Sequence, residues 1–346
     1  MNSVTTLSQI HSITNRILDA KSNAYRELFS TCDELYNSLL RINEINSLDE
    51  KNRGHLSLES GAALGLTWAA MCIKDIIRTK RFMDGIYAAI KDILRVHPDK
   101  TIHILYAGTG PFATLILPLT ARFSAQQLQF TLLEVNESSY NSLQKLVKIL
   151  HLEKYIHLLE KADATKWQLQ AGEHIDIFIC EVMQGGLKSE PQVAICMNII
   201  PQLSPGTIMI PQQIILDAAL INEKIRMNER FQAGAPPDSI QYLDTIFILR
   251  KETILAHVAA SQQAGEKDFP FPEKHIFIPI DIISHHPSLF VLTELQIYDQ
   301  EKLLIDESQL TIPLKLTRFS EPYPNEIKIQ YQTGNQPGIQ FITQKS

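Results

Sequence analysis

Apolar residues recur at helical spacing through residues 5–45, at Leu7, Ile10, Ile13, Ile17 and Leu18 and again at Leu28, Leu35, Leu39 and Leu40, with polar residues between. A stripe of this kind predicts one or two amphipathic helices that bury one face as a cap. The polar connection NSLDEKNRGH leads into residues 57–95, where the pattern is again helical. Inside that stretch Asp75, Arg78 and Thr79 interrupt apolar neighbours, Met71, Ile76, Ile77, Phe82 and Ile86. An arginine so placed reads equally as a solvated charge, a structural ion pair or a ligand contact.

From residue 101 the period changes. TIHILYAGTGPFATL runs apolar up to Gly108 and Gly110 and then turns apolar again, which predicts a buried strand, a tight turn and the start of a helix. Glycine permits positive φ and close approach of a ligand, and a helix N-terminus behind it would offer free N–H groups. The segment therefore reads as a cofactor seat. QFTLLEVN is a strand ending in Glu134, SSYNSLQKLVKILHL has helical spacing, and YIHLLEKADAT is a strand ending at Asp163. HIDIFICEVM is a strand ending at Glu181, followed by a helix over about 189–202 and a closing turn, LSPGTIMIP. Alternating strands and helices predict an α/β fold, an open and mostly parallel Rossmann-like sheet with its ligand at the carboxyl ends of the strands.

Beyond residue 210 the period is two, in IFILRKETI, HIFIPIDIIS, SLFVLTELQIYD, LTIPLKLTRF and EIKIQYQT. That alternation predicts antiparallel strands with one buried face, as in a β-sandwich or open barrel. The polar, proline-bearing stretch at 222–245 reads as a surface excursion, a lid or a dimerisation arm, so that a homodimer is one expectation. LFVLTELQIYD reads as an edge or interface strand, and the tail after Pro322 as partly exposed. The expected division is a helical cap with cofactor-covering helices at 1–95, the cofactor domain at 96–210 and a β-rich domain at 211–346.

Composition narrows the partners. The 346 residues have room for two domains, and 45% hydrophobic with 20% charged residues is the make-up of an ordinary globular chain. A net charge of −6 with scattered lysines and arginines disfavours nucleic acid. Cys32, Cys72, Cys180 and Cys196 lie far apart with no CxxC pair, so neither a disulfide framework nor a metal site is suggested. No basic n-region precedes an apolar stretch at the N-terminus, and no apolar run is long enough to span a bilayer; the expectation is a cytoplasmic protein without a membrane partner.

Glu134 follows Gly110 by 24 residues, the separation at which an acid accepts hydrogen bonds from ribose hydroxyls. A nicotinamide dinucleotide would suit that spacing equally, although the third glycine of its fingerprint is replaced by Ala113. Taken together, ILYAGTGPFATL, LLEVNE, KADAT and FICEVM resemble the successive motifs of class I S-adenosylmethionine-dependent methyltransferases. Within that superfamily the chain is most similar to protein arginine methyltransferases. Asp75, Arg78, Thr79 and Phe82 match their D-x-x-R-T-x-x-(Y/F) pattern, and CEVMQGGLKSE carries Glu181, Met183 and Glu190 at the spacing of their paired-glutamate loop, with Gln184 in place of a glycine. LSPGTIMIPQQIILDAALI resembles their passage into a β-rich second domain.

The resemblance implies S-adenosylmethionine as cofactor and a role for each matching residue. Arg78 would pair with the cofactor's methionine carboxylate, and the backbone at Gly108 and Gly110 would pass beneath it. Glu134 would hold the ribose, and Asp163 or Ala162 would face the adenine. Glu181 and Glu190 would hold a cationic nitrogen of a small-molecule or peptidyl amine, the N-methyl acceptor. Tyr106 stands in this seat where the family has an acid before the first glycine. The Thr-His-Trp triplet of those enzymes is absent, since the tryptophans are Trp68 and Trp167 and the nearest histidines are His285 and His286. The turn GTGPF, with Pro111 and Phe112, resembles that of nicotianamine synthases. That likeness implies an alternative chemistry at the same cofactor, aminocarboxypropyl transfer or cyclisation to azetidine-2-carboxylate, and a non-catalytic binding module is the third reading.

Overall fold

Two amphipathic helices open the chain, α1 (Ser3–Asp19) and α2 (Tyr25–Asn43). Their buried positions, Ile10, Ile13 and Ile17 on the first and Leu28, Cys32, Leu35 and Leu39 on the second, follow the three-and-four spacing of a single buried face. The structure, a computed structural model, describes residues 3–46, 49–229, 238–266 and 269–344. After α2 the expected helix over 57–65 is replaced by a hairpin, β1 (Leu56–Leu58) paired antiparallel with β2 (Gly61–Ala63). Gly61 is the reason. Its φ of +136° is foreign to a helix, and a Cβ there would lie 2.6 Å from the Ser189 carbonyl oxygen, which accepts the Ala62 N–H at 2.8 Å. A short α3 (Leu66–Met71) and the long α4 (Ile76–Val96) follow. Asp75 caps α4 by accepting the Arg78 N–H at 3.3 Å.

The parallel sheet is built from β3 (Ile102–Ala107), β4 (Leu128–Glu134), then α5 (Glu137–Ile149), β5 (Ile156–Lys161), β6 (Ile177–Cys180), α6 (Gln192–Ile199) and β7 (Ile208–Ile210). Its order is β5-β4-β3-β6-β7, with every neighbouring pair parallel. The chain winds outward from β3 in one direction and then in the other, so β3 and β6 flank the point where the order reverses and a crevice opens at the carboxyl ends. No α-helix follows the glycine turn. Ala113 sits in the left-handed region at φ 44°, and Pro111 and Pro118 interrupt the run, leaving only a 3-10 turn at Leu117–Ala121. The free helix N-terminus expected behind Gly110 is thus not part of the seat.

The remainder comprises β8 (Gln213–Ile221), α7 (Glu223–Glu229), β9 (Ile240–Arg250), α8 (Lys251–Ala264), β10 (Lys274–Phe277), α9 (Ile280–His285), β11 (Ser288–Tyr298), β12 (Glu301–Leu303), β13 (Leu314–Arg318), β14 (Glu326–Gln332) and β15 (Gly338–Gln344). One antiparallel sheet has the order β12-β11-β8-β9 with β13 also on β11, and a second has the order β10-β14-β15. Two expectations change here. β11 is internal, flanked by β8 on one side and by β12 and β13 on the other, because its alternate residues Leu289, Val291, Leu295 and Ile297 are all buried. The tail after Pro322 is partly exposed as expected, at 332–336 and 342–344, and it also supplies β14, whose Ile327, Ile329 and Tyr331 are buried at every second position. IFILRKETI and HIFIPIDIIS each turn from strand into helix, at Lys251 and after Pro279. The excursion at 222–245 falls partly on residues 230–237, which lie outside the described residues.

The larger apolar core runs from α1 and α2 through the parallel sheet into the antiparallel sheets, and a smaller cluster of Ala219, Ile221, Ile240, Phe290 and Leu292 lies between β8, β9 and β11. Tyr331 of β14 stacks on Phe247 of β9 with ring centroids 4.5 Å apart, joining the two antiparallel sheets. Among the described residues no helix is long and apolar enough to cross a membrane.

Candidate active site

The carboxyl ends of β3, β4 and β6 open into a cavity of about 750 Å³. Arg78, Tyr106, Gly108, Gly110, Glu134, Asp163, Glu181 and Glu190 all line it, so the residues expected to hold cofactor and acceptor arrive in one place, whereas Phe82, Pro111, Phe112, His285 and His286 do not line it. The strand pattern explains this for the acids. Glu134 is the last residue of β4, Glu181 follows the last residue of β6, and Asp163 stands two residues past β5. The other wall comes from α3, the start of α4 and residues 309–314 of the β-rich part.

At the centre, Arg78 donates a charge-assisted hydrogen bond to Glu181 Oε2. The two side chains are 13% and 2% exposed, so the pair is shielded from solvent. Glu181 Oε1 has no hydrogen-bond partner and is buried. An unpartnered carboxylate oxygen in the interior is costly unless something else satisfies it. Burial pushes the Glu181 carboxyl up to about 6 against the pull of Arg78. Glu190 is buried as well; burial first, and the Glu181 charge second, push its carboxyl up to about 7, while the Gln184 amide bonds it and works the other way.

Glu134 is held differently. Its Oε2 accepts the Gly110 N–H at 2.7 Å and its Oε1 the Asn136 N–H at 2.8 Å. Burial nonetheless pushes its carboxyl up to about 7. The Val135 N–H and the Thr109 hydroxyl also bond this carboxylate and, with the other two, work against burial. Asp163 Oδ1 accepts both the Thr165 N–H at 2.9 Å and its hydroxyl at 2.7 Å. Tyr106 is almost wholly buried, and burial first, with Glu181 next, pushes its phenol well up, so it is neutral. Gly108, at φ +74°, allows close packing at the turn, since a Cβ would lie 2.1 Å from Val182 Cγ2.

Several residues that position the site carry no signal in their local sequence. Gln192, wholly buried at the start of α6, accepts the Val182 N–H at 2.8 Å and donates to the Cys180 carbonyl at 2.8 Å, closing the base of the loop between the two glutamates. A polar residue leading the apolar run VAICMNII was the available hint. The loop itself is held from four sides. Gly186 N–H donates to Thr293 Oγ1 at 2.8 Å, Tyr331 donates to the Leu187 carbonyl at 3.0 Å, Ser189 N–H donates to the Pro337 carbonyl at 2.9 Å, and β2 holds the Ser189 carbonyl. Asp75 Oδ2 accepts the Ser308 hydroxyl at 2.7 Å and the Gln309 N–H at 2.9 Å, tying α4 to the wall at 309–314. Cys72 faces Arg78, and burial raises its thiol. Among the described residues no group of three or more His, Cys, Asp and Glu side chains is arranged to hold a metal ion.

No family model matches the chain, and no curated protein matches it. The chain is similar to two solved structures of arginine methyltransferases. One is the Trypanosoma brucei PRMT1 enzyme–prozyme heterotetrameric complex with AdoHcy, at 14% identity over 80% of this chain and 92% of that one, with a TM-score of 0.49. The other is the Arabidopsis thaliana protein arginine methyltransferase 10 in an open conformation, at 13% identity over 75% of this chain and 86% of that one, with a TM-score of 0.44.

Proposed function

We propose that the cavity binds S-adenosylmethionine and that the chain transfers its methyl group to a nitrogen of an amine-bearing acceptor. The observation that carries this reading is the convergence of two buried glutamates, Glu181 and Glu190, on a cavity that also holds Arg78 and Glu134. The residues fit the cofactor. Glu134 ends β4 with its carboxylate lining the cavity as an acceptor for ribose hydroxyls, and the guanidinium of Arg78 has donors beyond the one given to Glu181. The orphaned Glu181 Oε1 fits a cationic nitrogen that brings its own N–H. When bound, S-adenosylmethionine supplies a methyl group on a sulfonium, already a good electrophile.

The chain's own work is then binding and alignment. Arg78 anchors a carboxylate, Glu134 fixes the ribose, and Asp163 stands where an adenine edge would lie. Glu181 and Glu190, once ionised, grip the cationic nitrogen from two sides; an ammonium has no lone pair, so one of the two carboxylates accepts its N–H proton, and the freed nitrogen, held in line, forms the N–C bond as the S–C bond breaks with its electron pair left on sulfur. Burial holds both acids back from ionising, and a bound cation lowers their pKa again, so acceptor binding and deprotonation of the pair are coupled.

Incubation of the protein with S-adenosylmethionine, followed by identification of the nucleoside product by mass, tests the reading. S-adenosylhomocysteine that forms only with an added amine acceptor, and that disappears in Glu181→Gln and Glu190→Gln, supports methyl transfer. Methylthioadenosine formed without an acceptor overturns it in favour of aminocarboxypropyl chemistry. Failure to bind either nucleoside overturns the seat itself.

A further inference from the structure

The charged side chains that line the cavity are, with few exceptions, already engaged. Lys74 holds Asp33 at 2.8 Å, Asp75 caps α4 and bonds the 308–309 segment, Arg78 holds Glu181, and Glu134 takes two backbone N–H groups. Lys188 is different. It lines the cavity, it is half-buried, and among the described residues its ammonium makes no hydrogen bond or ion pair. A cation that lines the same cavity as two buried carboxylates and is not tied to either is available to a ligand that supplies the counter-charge.

Its placement is held by unusual backbone. Leu187 and Ser189, on either side of it, both lie in the left-handed region, at φ 51° and 67°. The Glu190 N–H closes on the Lys188 carbonyl at 2.8 Å across Ser189, a γ-turn of the rare positive-φ kind. Strain of this sort persists where the surroundings over-determine it, and here Tyr331, Pro337 and Ala62 do so. Gly338 also packs against this residue, where a Cβ would lie 3.4 Å from Lys188 Cβ. The turn sets Lys188 and Glu190 two residues apart on one cavity wall. A purely cationic acceptor would share this cavity with an unpartnered ammonium, which discriminates against it.

We infer that Lys188 selects acceptors that carry an anionic group as well as the reacting nitrogen, so the substrate class is a small zwitterionic amine. The inference rests on the proposed methyl-transfer reading of the cavity. Glu181 and Glu190 take the nitrogen, and Lys188 takes the carboxylate or phosphate at the other end of the same small molecule.

The test uses the full chain saturated with S-adenosylhomocysteine and calorimetric titration of matched probes: L-arginine against agmatine, L-lysine against cadaverine, L-histidine against histamine, and O-phosphoethanolamine against ethanolamine. The first three pairs report a carboxylate and the last a phosphate. At least one anionic member is expected to bind tenfold or more tightly than its partner. Lys188→Met should shrink that ratio below threefold and Lys188→Glu should invert it, with S-adenosylhomocysteine affinity unchanged in both. Equal binding within every pair, no binding of any member, or a preference that survives in Lys188→Met overturns the inference while leaving the cofactor seat intact. A wild-type chain that does not bind S-adenosylhomocysteine overturns both.

Discussion

Replacing Glu190 by glutamine should stabilise the folded chain at pH 8 and leave its stability unchanged at pH 4. Burial, with the Glu181 charge behind it, pushes this carboxyl from its ordinary 4.5 up to about 7. A group whose folded pKa lies above its unfolded one binds more protons folded than unfolded between the two values, so stability falls as pH rises through that window. Below 4.5 the carboxyl is neutral in both states and glutamine matches it. Above 7 it is ionised in both, and the folded state bears the full penalty, about 3 kcal/mol at 1.36 kcal/mol per pH unit. Glutamine has the same shape and no charge, so it recovers that penalty, and it keeps a carbonyl oxygen for the Gln184 amide. Denaturant melts of wild type and Glu190→Gln at pH 4, 6 and 8, read by tryptophan fluorescence and circular dichroism, measure the difference. The expected gain grows from nothing at pH 4 to about 3 kcal/mol at pH 8. A gain equal at all three pH values, or a loss at pH 8, would refute the argument that Glu190 is a buried charge without a fixed counter-ion. Acceptor turnover should vanish in the same variant, which separates a residue kept for binding from one kept for stability.

Gly108→Ala should cost roughly 2–5 kcal/mol, about 1–2 from the left-handed φ and about 1–3 from overpacking against Val182; adding Val182→Ala should return the second part alone, as read from denaturant midpoints. Asp75→Ala should lower stability by about 2 kcal/mol through the lost cap and the lost bonds to Ser308 and Gln309, and Asp75→Asn should retain most of the cap; chemical denaturation distinguishes the two. Gln192→Ala strands the Val182 N–H and the Cys180 carbonyl and should cost about 2–4 kcal/mol, with proteolysis of the 181–190 loop accelerating in parallel. Glu134→Gln faces either Gly110 or Asn136 with a donor instead of an acceptor, so nucleoside affinity measured by calorimetry should fall at least tenfold.

The parallel sheet was legible because strands buried on both faces read as continuous apolar runs, and an acid at the end of such a run marks the edge of the crevice. Glu134 and Glu181 follow from that rule alone. The hairpin at 56–63 was not legible, since LSLESGAAL has the composition of a helix and its strand geometry depends on Ser189, far along the chain. The helix expected behind Gly110 failed for a local reason that was in view, two prolines and a residue forced to positive φ. Alternation in IFIL carried the expected strand past Arg250, where KETILAHVAASQQA has good helix formers and spacing that suits either period. The Arg78–Glu181 pair joins residues 103 apart, and the resemblance named both without hinting that they would meet.

That meeting changes what the carboxylate pair is for. Arg78 is held by Glu181, and under the proposed function a cofactor carboxylate seeking the same guanidinium would compete with it. Weakening that ion pair leaves Glu181 with two acceptor oxygens instead of one to offer a cationic nitrogen. Glu190 cannot follow it, because the 184–190 loop is bonded to Thr293, Tyr331, Pro337 and Ala62, on strands from three different sheets or beside them. Under the proposed function one glutamate would respond to the cofactor, while the loop that leads into the other is held by antiparallel strands. The β-rich half of the chain therefore borders the cavity and braces it: Thr293, Tyr331 and Pro337 hold the strained turn that carries Lys188 and leads into Glu190, while the turn itself belongs to the loop between β6 and α6 of the parallel sheet.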